Sequence, residues 1–429
     1  MYNSSVTHQF RQYLYPGSQE RVAPSPADVQ SRGRRLKRLL RCVDGEILDQ
    51  GQGEAFLVVR NRFPLQHAHG QQPLGETLEA RPESLALLGR DERLAAVDLG
   101  QGLFFDVETT GLAGGTGTLA FLVGVGRYAD GEFEVLQFFL AGPEHEAAFL
   151  QALSQALNPQ PFLVSYNGRC FDAPLLDTRF ILQRRRLNMS AWPHLDLLYP
   201  ARRLYRSRTG DCSLKSIEAQ VLGVRRSEED VPGALIPGIY FDYLRGGPVE
   251  QLRSVFYHNL LDILSLATLA GTMASTIERR RAPDPRDYIG AGAMLEAAGR
   301  AEEAREAYER ALAEGTHEAY YTATVRLGYL LKRQGDYARA KQLWRALVEA
   351  GVDPHAIAHV ELAKHLEHRE RDHEAAADVV RQALRLPGVR SALERRALEL
   401  RLARLEDKCA RAARKSGNDD GAHSRDAPL

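Results

Sequence analysis

Short apolar runs alternate with helical apolar spacing through the middle of the chain. Leu119–Gly126 and Phe133–Leu140 have the length of buried strands, and the turn residues Ala129-Asp130-Gly131 between them predict a β-hairpin. Apolar residues three or four positions apart then predict helices, with short apolar runs between them that predict further strands. This order indicates an α/β domain, a mixed sheet flanked by helices. The strands are expected at 103–107, 119–126, 133–140, 162–165 and 195–198, and the helices at 144–157, 172–187 and 249–273.

The carboxyl-terminal part of the chain repeats with a period of 36 residues. At this spacing Gly299–Ala304 aligns with Gly335–Ala340 and then with Arg371–Ala376. Each unit predicts a helix, a tight turn and a second helix, and the period is close to the roughly 34 residues of tetratricopeptide (TPR) repeats. An all-α array of TPR-like helical hairpins is therefore expected. A large apolar side chain recurs at one offset in each unit, as Tyr308, Trp344 and Val380.

Changes in composition divide the chain further. Ala282-Pro283-Asp284-Pro285 has the composition of a linker. Residues 32–41 are basic with apolar residues at helical spacing, which predicts a basic helix, and Ala55–Arg60 predicts a strand. We expect a disordered amino terminus at 1–30, an extension with that helix and strand at 31–95, the α/β domain at 96–278, a linker at 279–288, the helical repeats at 289–408 and a disordered tail at 409–429.

Charge is informative only through its distribution, because 56 Lys and Arg balance 56 Asp and Glu. Residues 179–226 hold eleven Lys and Arg against three acids. Such a local excess is typical of a surface that binds a polyanion, although a set of solvated faces has the same composition. His67 and His69 lie in a polar stretch and are expected in a surface loop, with a metal site as the alternative.

The compartment can be predicted from what the sequence lacks. Its four cysteines are scattered without disulfide or metal spacing, which favours a reducing compartment. The amino terminus lacks the basic and apolar regions of a signal peptide. No apolar run approaches the roughly 20 residues that cross a bilayer. We expect a soluble cytoplasmic protein without membrane contact.

Two acids one residue apart, Asp106 and Glu108, end the first apolar run of the α/β domain. Residues i and i+2 of a strand point to the same face, so both carboxylates can address one site. Buried neighbouring carboxylates repel each other and need a positive charge, for which Mg²⁺ or Mn²⁺ is suited. The alternative is a strand end whose acids face water.

Two more acids follow apolar elements further along the chain. Asp172 comes after the strand expected at 162–165, where it can also cap a helix that has Pro174 in its first turn. Asp262 lies in a strongly apolar helical segment, four residues after His258 on the same face. His258 and Asp262 can also be a buried His–Asp pair of the core.

These segments carry a resemblance to a known enzyme class. Phe105-Asp106-Val107-Glu108-Thr109-Thr110-Gly111, then Asn167 followed by Phe171-Asp172, then Asp262 shortly after a Tyr and a His resemble the three motifs of DEDD 3′–5′ exonucleases, which have an RNase H-like fold. More narrowly, the chain is similar to a bacterial family of predicted exonucleases that joins an RNase H-like domain to TPR repeats.

The resemblance implies a set of catalytic groups. Asp106, Glu108, Asp172 and Asp262 would hold two Mg²⁺ or Mn²⁺ ions that flank a phosphodiester bond during its hydrolysis. The exonucleases position the attacking water with a His five residues before the last acid or a Tyr four before it. In this sequence the two are exchanged, as Tyr257 and His258. We favour His258, because it shares a helix face with Asp262 and titrates near neutrality.

The expected substrate is single-stranded DNA or RNA, with a protein partner for the repeats. Two alternatives are a non-catalytic nucleic-acid-binding scaffold and a structure-specific endonuclease that uses the same metal site. The residues expected to contact nucleic acid are Thr109, Asn167, Arg169, Lys215, Arg184, Arg185, Arg202 and Arg203.

Overall fold

The computed structural model describes residues 35–43, 46–49, 56–111, 117–157, 161–315 and 317–420. It separates into two compact units, with the boundary between Pro283 and Asp284. Residues 35–39, part of the expected basic helix, are helical. The amino-terminal segment 1–30, expected to be disordered, lies outside the described residues.

A seven-stranded mixed sheet forms the centre of the first unit. All five strands predicted for the middle of the chain form, and the strand predicted at 55–60 joins the same sheet. A separate two-stranded ribbon contains β3 (Ala68–His69) and β4 (Gln72–Pro73). From one edge to the other, the strands of the main sheet are β1 (Glu46–Asp49), β2 (Phe56–Pro64), β7 (Glu132–Leu140), β6 (Ala120–Ala129), β5 (Gly102–Thr109), β8 (Phe162–Ser165) and β9 (His194–Asp196).

Strand direction determines where the acids meet. β5 pairs antiparallel with β6 and parallel with β8, and β8 pairs parallel with β9. Because parallel strands end at the same edge of a sheet, the carboxyl end of β5 lies beside the segment that leaves β8. Asp106 and Glu108 are therefore brought close to Asp172. β2 pairs with β7 from Phe56↔Leu140 to Pro64↔Glu132, so the amino-terminal extension is part of this sheet.

Helices connect and flank these strands. The helix expected over 172–187 ends at Leu182, because Arg184 takes a positive φ of 57° and the carboxylate of Asp177 accepts the N–H of Met189 at 2.6 Å, which turns the chain. After the short helix at 35–39, the α-helices described in the first unit are α1 (Pro82–Gly89), α2 (Glu146–Leu157), α3 (Asp172–Leu182), α4 (Leu198–Leu204), α5 (Arg206–Thr209), α6 (Leu214–Ile217), α7 (Ile236–Leu244) and α8 (Leu252–Ile277).

The apolar helix α8 is a core element. The expectation that no apolar run approaches the length of a membrane span is wrong for this segment, since Val249–Ile277 is long and apolar enough to cross a bilayer. However, 83% of its most apolar stretch is buried inside the molecule. It packs against β5 and β6, with Ile263 and Ala270 fully buried. The first turns of α8 thereby carry His258 and Asp262 to the end of β5.

The second unit is an array of helices in which each packs against the next along the chain. Tyr308, Trp344 and Val380, predicted at one offset of the repeat, are all buried. The tail predicted to be disordered from 409 is helical as far as Asp420, because the run of Ala, Arg and Lys after Cys409 has high helix propensity. Residues 421–429 lie outside the described residues. The helices are α9 (Asp287–Ala297), α10 (Ala301–Glu314), α11 (His317–Gln334), α12 (Tyr337–Glu349), α13 (Ile357–His365), α14 (His373–Leu384) and α15 (Ala392–Asp420).

Candidate active site

The four predicted acids come together where β5, α3 and α8 meet. Asp106 and Asp172 line one cavity of about 360 Å³. His258 links the other two, because its Nε2 lies 3.9 Å from Glu108 Oε1 and 3.6 Å from Asp262 Oδ2. Residues separated by up to 156 positions in the chain thus share one site.

This cluster carries more negative charge than its surroundings neutralise. Burial raises the pKa of Asp106 to about 8, with further contributions from the charges of Asp262 and Asp172. Burial also raises the pKa of Asp172 to about 7, with a contribution from Asp196. The pKa of Glu108 lies well above its ordinary value, because its carboxyl is buried and faces the charge of Asp106. Each of these shifts favours the protonated acid unless a cation is present.

Asp106 is held by a buried amide. Asn259 Nδ2 donates to Asp106 Oδ2 at 3.0 Å, and Gln137 Nε2 donates to Asn259 Oδ1 at 3.0 Å. Gly124, opposite Asp106 on β6, leaves room for this amide, since a Cβ there would lie 2.3 Å from Asn259 Oδ1. Asn259 was not predicted as a site residue. Its position between His258 and Asp262 in the last motif was the one signal that could have indicated a role.

The sequence allowed Asp172 to act as the N-cap of α3, but in the structure it does not. It is the first residue of the helix, and its carboxylate accepts no hydrogen bond from any residue that the structure describes. Gly168 approaches it closely, since a Cβ at that glycine would lie 3.0 Å from Asp172 Oδ2. Asp196 holds the intervening loop by accepting the N–H groups of Asn167 at 2.8 Å and Arg169 at 3.2 Å. The expected strand over 195–198 ends at Asp196, whose carboxylate also accepts the N–H of Leu198 at 3.1 Å, where α4 begins.

The structure distinguishes His258 from Tyr257. The imidazole of His258 faces Glu108 and Asp262, as described above. The hydroxyl of Tyr257 instead accepts a hydrogen bond from Ser227 Oγ at 3.2 Å. Of the two candidates, His258 is therefore the one that adjoins the acids.

Three charged residues, none of them predicted as a site residue, complete the site. The side chain of Arg226 is buried, and its Nη2 donates to Glu218 Oε1 at 2.6 Å and to Asp262 Oδ1. Its Nη1 lies 3.3 Å from Asp230 Oδ1, and that oxygen lies 2.7 Å from His258 Nδ1. Arg226 had been counted in the basic surface segment, and only tertiary pairing distinguishes it from its exposed neighbours.

This network extends to the amino-terminal extension. Ser265 Oγ donates to Glu218 Oε1 at 2.5 Å and lies 2.8 Å from His69 Nε2. The expectation that His69 lies in a surface loop is wrong, because the side chain is buried against α8. Burial lowers the pKa of His69 to about 4, so its imidazole is neutral at physiological pH.

The residues predicted to contact nucleic acid are distributed unevenly. Thr109 and Asn167 line the cavity of Asp106. Arg184 and Arg185 follow the far end of α3, roughly 16 Å along the helix axis from Asp172, so the structure does not bring them to the acids. Arg185 donates to Gln151 at 3.0 Å. Arg202 lines a second cavity that adjoins the first, whereas Arg169, Arg203 and Lys215 are exposed outside both cavities.

The donor set fits a hard divalent cation. Carboxylate oxygens are the ligands that Mg²⁺ and Mn²⁺ prefer, and Glu108 and Asp172 have acceptor capacity that no described residue uses through a hydrogen bond. Within the described residues, no three His, Cys, Asp or Glu side chains already form a compact set of metal ligands.

Comparison with known proteins agrees with this architecture. Residues 103–274 match the RNase_H superfamily, and residues 325–388 match the tetratricopeptide repeat. The chain is 34% identical over 364 residues to "Uncharacterized protein YprB" of Bacillus subtilis (strain 168), an alignment that covers 83% of this chain and 87% of YprB. The chain belongs to the YprB family.

In this member of the YprB family, the RNase H-like domain is extended at its amino terminus. The matched region begins at β5, whereas β1, β2 and the ribbon that carries His69 come before it. An RNase H-like domain implies binding to nucleic acid and suggests nuclease activity. TPR repeats commonly mediate interactions with other proteins.

Proposed function

We propose that this protein is a divalent-metal-dependent nuclease, a 3′–5′ exonuclease that hydrolyses phosphodiester bonds at the ends of single-stranded DNA or RNA. The observation that supports it best is the convergence of Asp106, Glu108, Asp172 and Asp262 beside His258, in a site with unneutralised negative charge. The polarity rests on the resemblance of the three motifs to those of DEDD exonucleases.

Each residue has a role in this proposal. The four acids would hold two Mg²⁺ or Mn²⁺ ions, which when bound supply water activation and charge neutralisation at the phosphate. His258 Nε2, which faces the acids, takes a proton from the attacking water. Asn259 keeps Asp106 in place through its hydrogen bond. Thr109 and Asn167 line the cavity that receives the end of the strand.

The experiment is cleavage of end-labelled oligonucleotides by the purified full-length chain with Mn²⁺. We expect stepwise shortening from the 3′ end, and a loss of rate of 10³-fold or more in Asp106→Asn and Asp172→Asn. Asp242→Asn is a matched control, because Asp242 is an exposed acid paired with Arg245. Full activity in Asp106→Asn would falsify the assignment. Cleavage of a circular single strand would indicate the endonuclease instead.

A non-catalytic nucleic-acid-binding scaffold is the second candidate. It is favoured by Arg226, which already supplies a positive charge to Asp262. Calorimetric titration with Mn²⁺ separates the two proposals. The nuclease requires binding that Asp106→Asn weakens, whereas the scaffold predicts no metal binding in the wild type.

We also propose that the repeats bind a protein partner and that the chain is cytoplasmic. The first proposal follows from what TPR repeats commonly do. The second is supported by the cysteines, since Cys42, Cys170, Cys212 and Cys409 are all free thiols.

A further inference from the structure

A second cavity adjoins the one that holds the acids. It measures about 410 Å³, and the acid cavity about 360 Å³. Both lie in the range of roughly 300–1,000 Å³ typical of ligand sites. Tyr166 and Asn167 line both cavities and form the wall between them. A ligand that passes over this wall would extend from Asp106 into the second cavity.

The second cavity offers positive charge that the protein does not use. Arg202 and Arg206 line it, both are exposed, and neither side chain forms a hydrogen bond or ion pair with any residue that the structure describes. Its one acidic lining residue, Asp211, is already bonded, since its carboxylate accepts the N–H of Ser213 at 3.1 Å and the hydroxyl of Ser213 at 2.6 Å. Two unpaired guanidinium groups favour a phosphate.

One exposed aromatic ring lines the acid cavity, and another follows Leu198, a lining residue of the second cavity, in the chain. Phe171 lines the acid cavity and is 51% exposed, and Tyr199 is 44% exposed. Tyr199 precedes Arg202 by three residues on α4, so the ring and the guanidinium lie on one face of that helix. Aromatic faces beside arginine residues are typical of proteins that bind single-stranded nucleic acid, because every base can stack on them.

We propose that one single strand of nucleic acid lies across Tyr166 and Asn167, with a backbone phosphate in the cavity of Arg202 and Arg206. A base next to the scissile phosphate stacks on Phe171. The proposal rests on the proposed function only in that the strand end reaches the acids. A duplex does not fit this arrangement, because its bases are already stacked and paired.

The test measures binding separately from cleavage. In the full-length chain with Asp106→Asn, anisotropy of a labelled twelve-residue oligothymidylate gives Kd over a series of salt concentrations. We expect Arg202→Gln and Arg206→Gln each to raise Kd about fivefold or more, and to reduce the slope of log K against log salt by about 0.7, the contribution of one phosphate contact on a single strand. Phe171→Ala should raise Kd about fivefold or more.

Arg203→Gln is the matched control, because Arg203 is an exposed arginine one position from Arg202 that lines neither cavity. Equal losses of affinity in Arg202→Gln and Arg203→Gln would overturn the proposal, and so would equally tight binding of a blunt duplex. If the wild type cleaves no oligonucleotide while the arginine variants still lose binding, the nuclease assignment fails and the binding site stands.

A second inference concerns the side of His258 that faces away from the acids. The side chain of Asp230 is 6% exposed, and its Oδ1 lies 2.7 Å from His258 Nδ1. A carboxylate only accepts hydrogen bonds, so Nδ1 carries the proton and donates it. The lone pair of the neutral imidazole is then on Nε2, which is the atom that faces Glu108 and Asp262.

One guanidinium supports two of the three acids that face His258, Asp230 and Asp262. Arg226 Nη1 lies 3.3 Å from Asp230 Oδ1, and Nη2 donates to Asp262 Oδ1. Glu218 fixes the remaining edge of Arg226 with two hydrogen bonds, at 2.6 and 2.7 Å. In the rival arrangement, Arg226 Nη1, 3.1 Å from Nδ1, donates to the imidazole and Nε2 carries the proton. That arrangement places two acceptors, Nδ1 and Asp230 Oδ1, in contact.

We infer that Asp230 is a positioning residue that accepts the Nδ1–H of His258 and so fixes the imidazole with Nε2 directed at the acids. Its catalytic meaning rests on the proposed function, but the position of the proton does not. An acid behind a catalytic histidine has the same effect in hydrolases, where replacing it by the amide stabilises the wrong tautomer.

Nitrogen-15 spectra of the full-length chain with labelled histidine test this inference without metal. We expect His258 in the wild type to be protonated at Nδ1, and in Asp230→Asn to shift toward the Nε2–H form. With Mn²⁺, Asp230→Asn should lower kcat by about 10²–10⁴-fold at little change in KM. Glu229→Gln, at an exposed neighbour, should change neither property. An Nε2–H tautomer in the wild type would overturn the inference even if the variant fails to fold.

Discussion

At the scale of residues, the acids of the site oppose folding when no cation is present. The carboxyls of Asp106 and Asp172 have pKa values of about 8 and about 7 in the folded chain, against 3.8 for an ordinary Asp. Between pH 3.8 and these folded-state pKa values, the folded state binds more protons than the unfolded state. The free energy of unfolding therefore falls as pH rises. For these two acids the decrease levels off about one pH unit above 8, where both are ionised in both states.

We therefore expect the metal-free protein to lose about 6 kcal/mol of stability between pH 5 and pH 8. Urea denaturation in the presence of EDTA measures this change. Asp106→Asn should flatten the dependence, because it removes the acid with the higher pKa and one source of repulsion. A profile that rises with pH in the wild type would contradict the buried, unneutralised cluster.

Sequence patterns identified the four acids because each follows or interrupts an apolar run whose burial could be expected. They missed Glu218, Arg226 and Asp230, which lie in a polar stretch of the chain. Charged residues in such a stretch are usually exposed, and these are buried only because they pair with one another and with α8. The strand at 55–60 was predicted, but its place in the main sheet was not, since the partner strand of β2 is far away in the sequence.

At the scale of elements, the approach of β6 to α8 determines how well Asp106 is held. Gly124→Ala should destabilise the protein by about 1–3 kcal/mol and reduce nuclease activity, because the new methyl group displaces the amide of Asn259. Gly238→Ala is the control, since Gly238 lies inside α7 and a Cβ added there would meet no atom within 4 Å, so this variant should stabilise slightly. The thermal unfolding temperatures of the two variants measure this difference. Equal temperatures would contradict the close contact between Gly124 and Asn259.

The turns of the helical repeats make a second prediction at this scale. Gly299, Gly335 and Arg371 occupy equivalent turns, with φ of 75°, 85° and 59°. Only the third is not glycine. Arg371→Gly should stabilise the repeats by about 1 kcal/mol, since glycine adopts a left-handed φ without steric cost. Gly335→Ala should have the opposite sign, and chemical denaturation monitored by circular dichroism measures both.

At the scale of the whole molecule, the chain contains two compact units, with the division between Pro283 and Asp284. A protease site introduced between these residues should release two fragments that each keep helical circular dichroism and a cooperative unfolding transition. Loss of cooperativity in either fragment after cleavage would show that the units depend on each other. The same site placed after Asp336, inside a repeat, is the control and should unfold the carboxyl-terminal fragment.

The buried contact between His69 and Ser265 has a practical consequence for truncated proteins. A fragment trimmed to residues 103–274 would keep every acid of the site and all three motifs. Yet it would lack the imidazole behind Ser265, and the β2 strand that covers the outer edge of β7. Such a minimal domain would tend to aggregate through its bare edge. A lack of activity in this fragment would therefore reflect the truncation and would not test the chemistry of the intact protein.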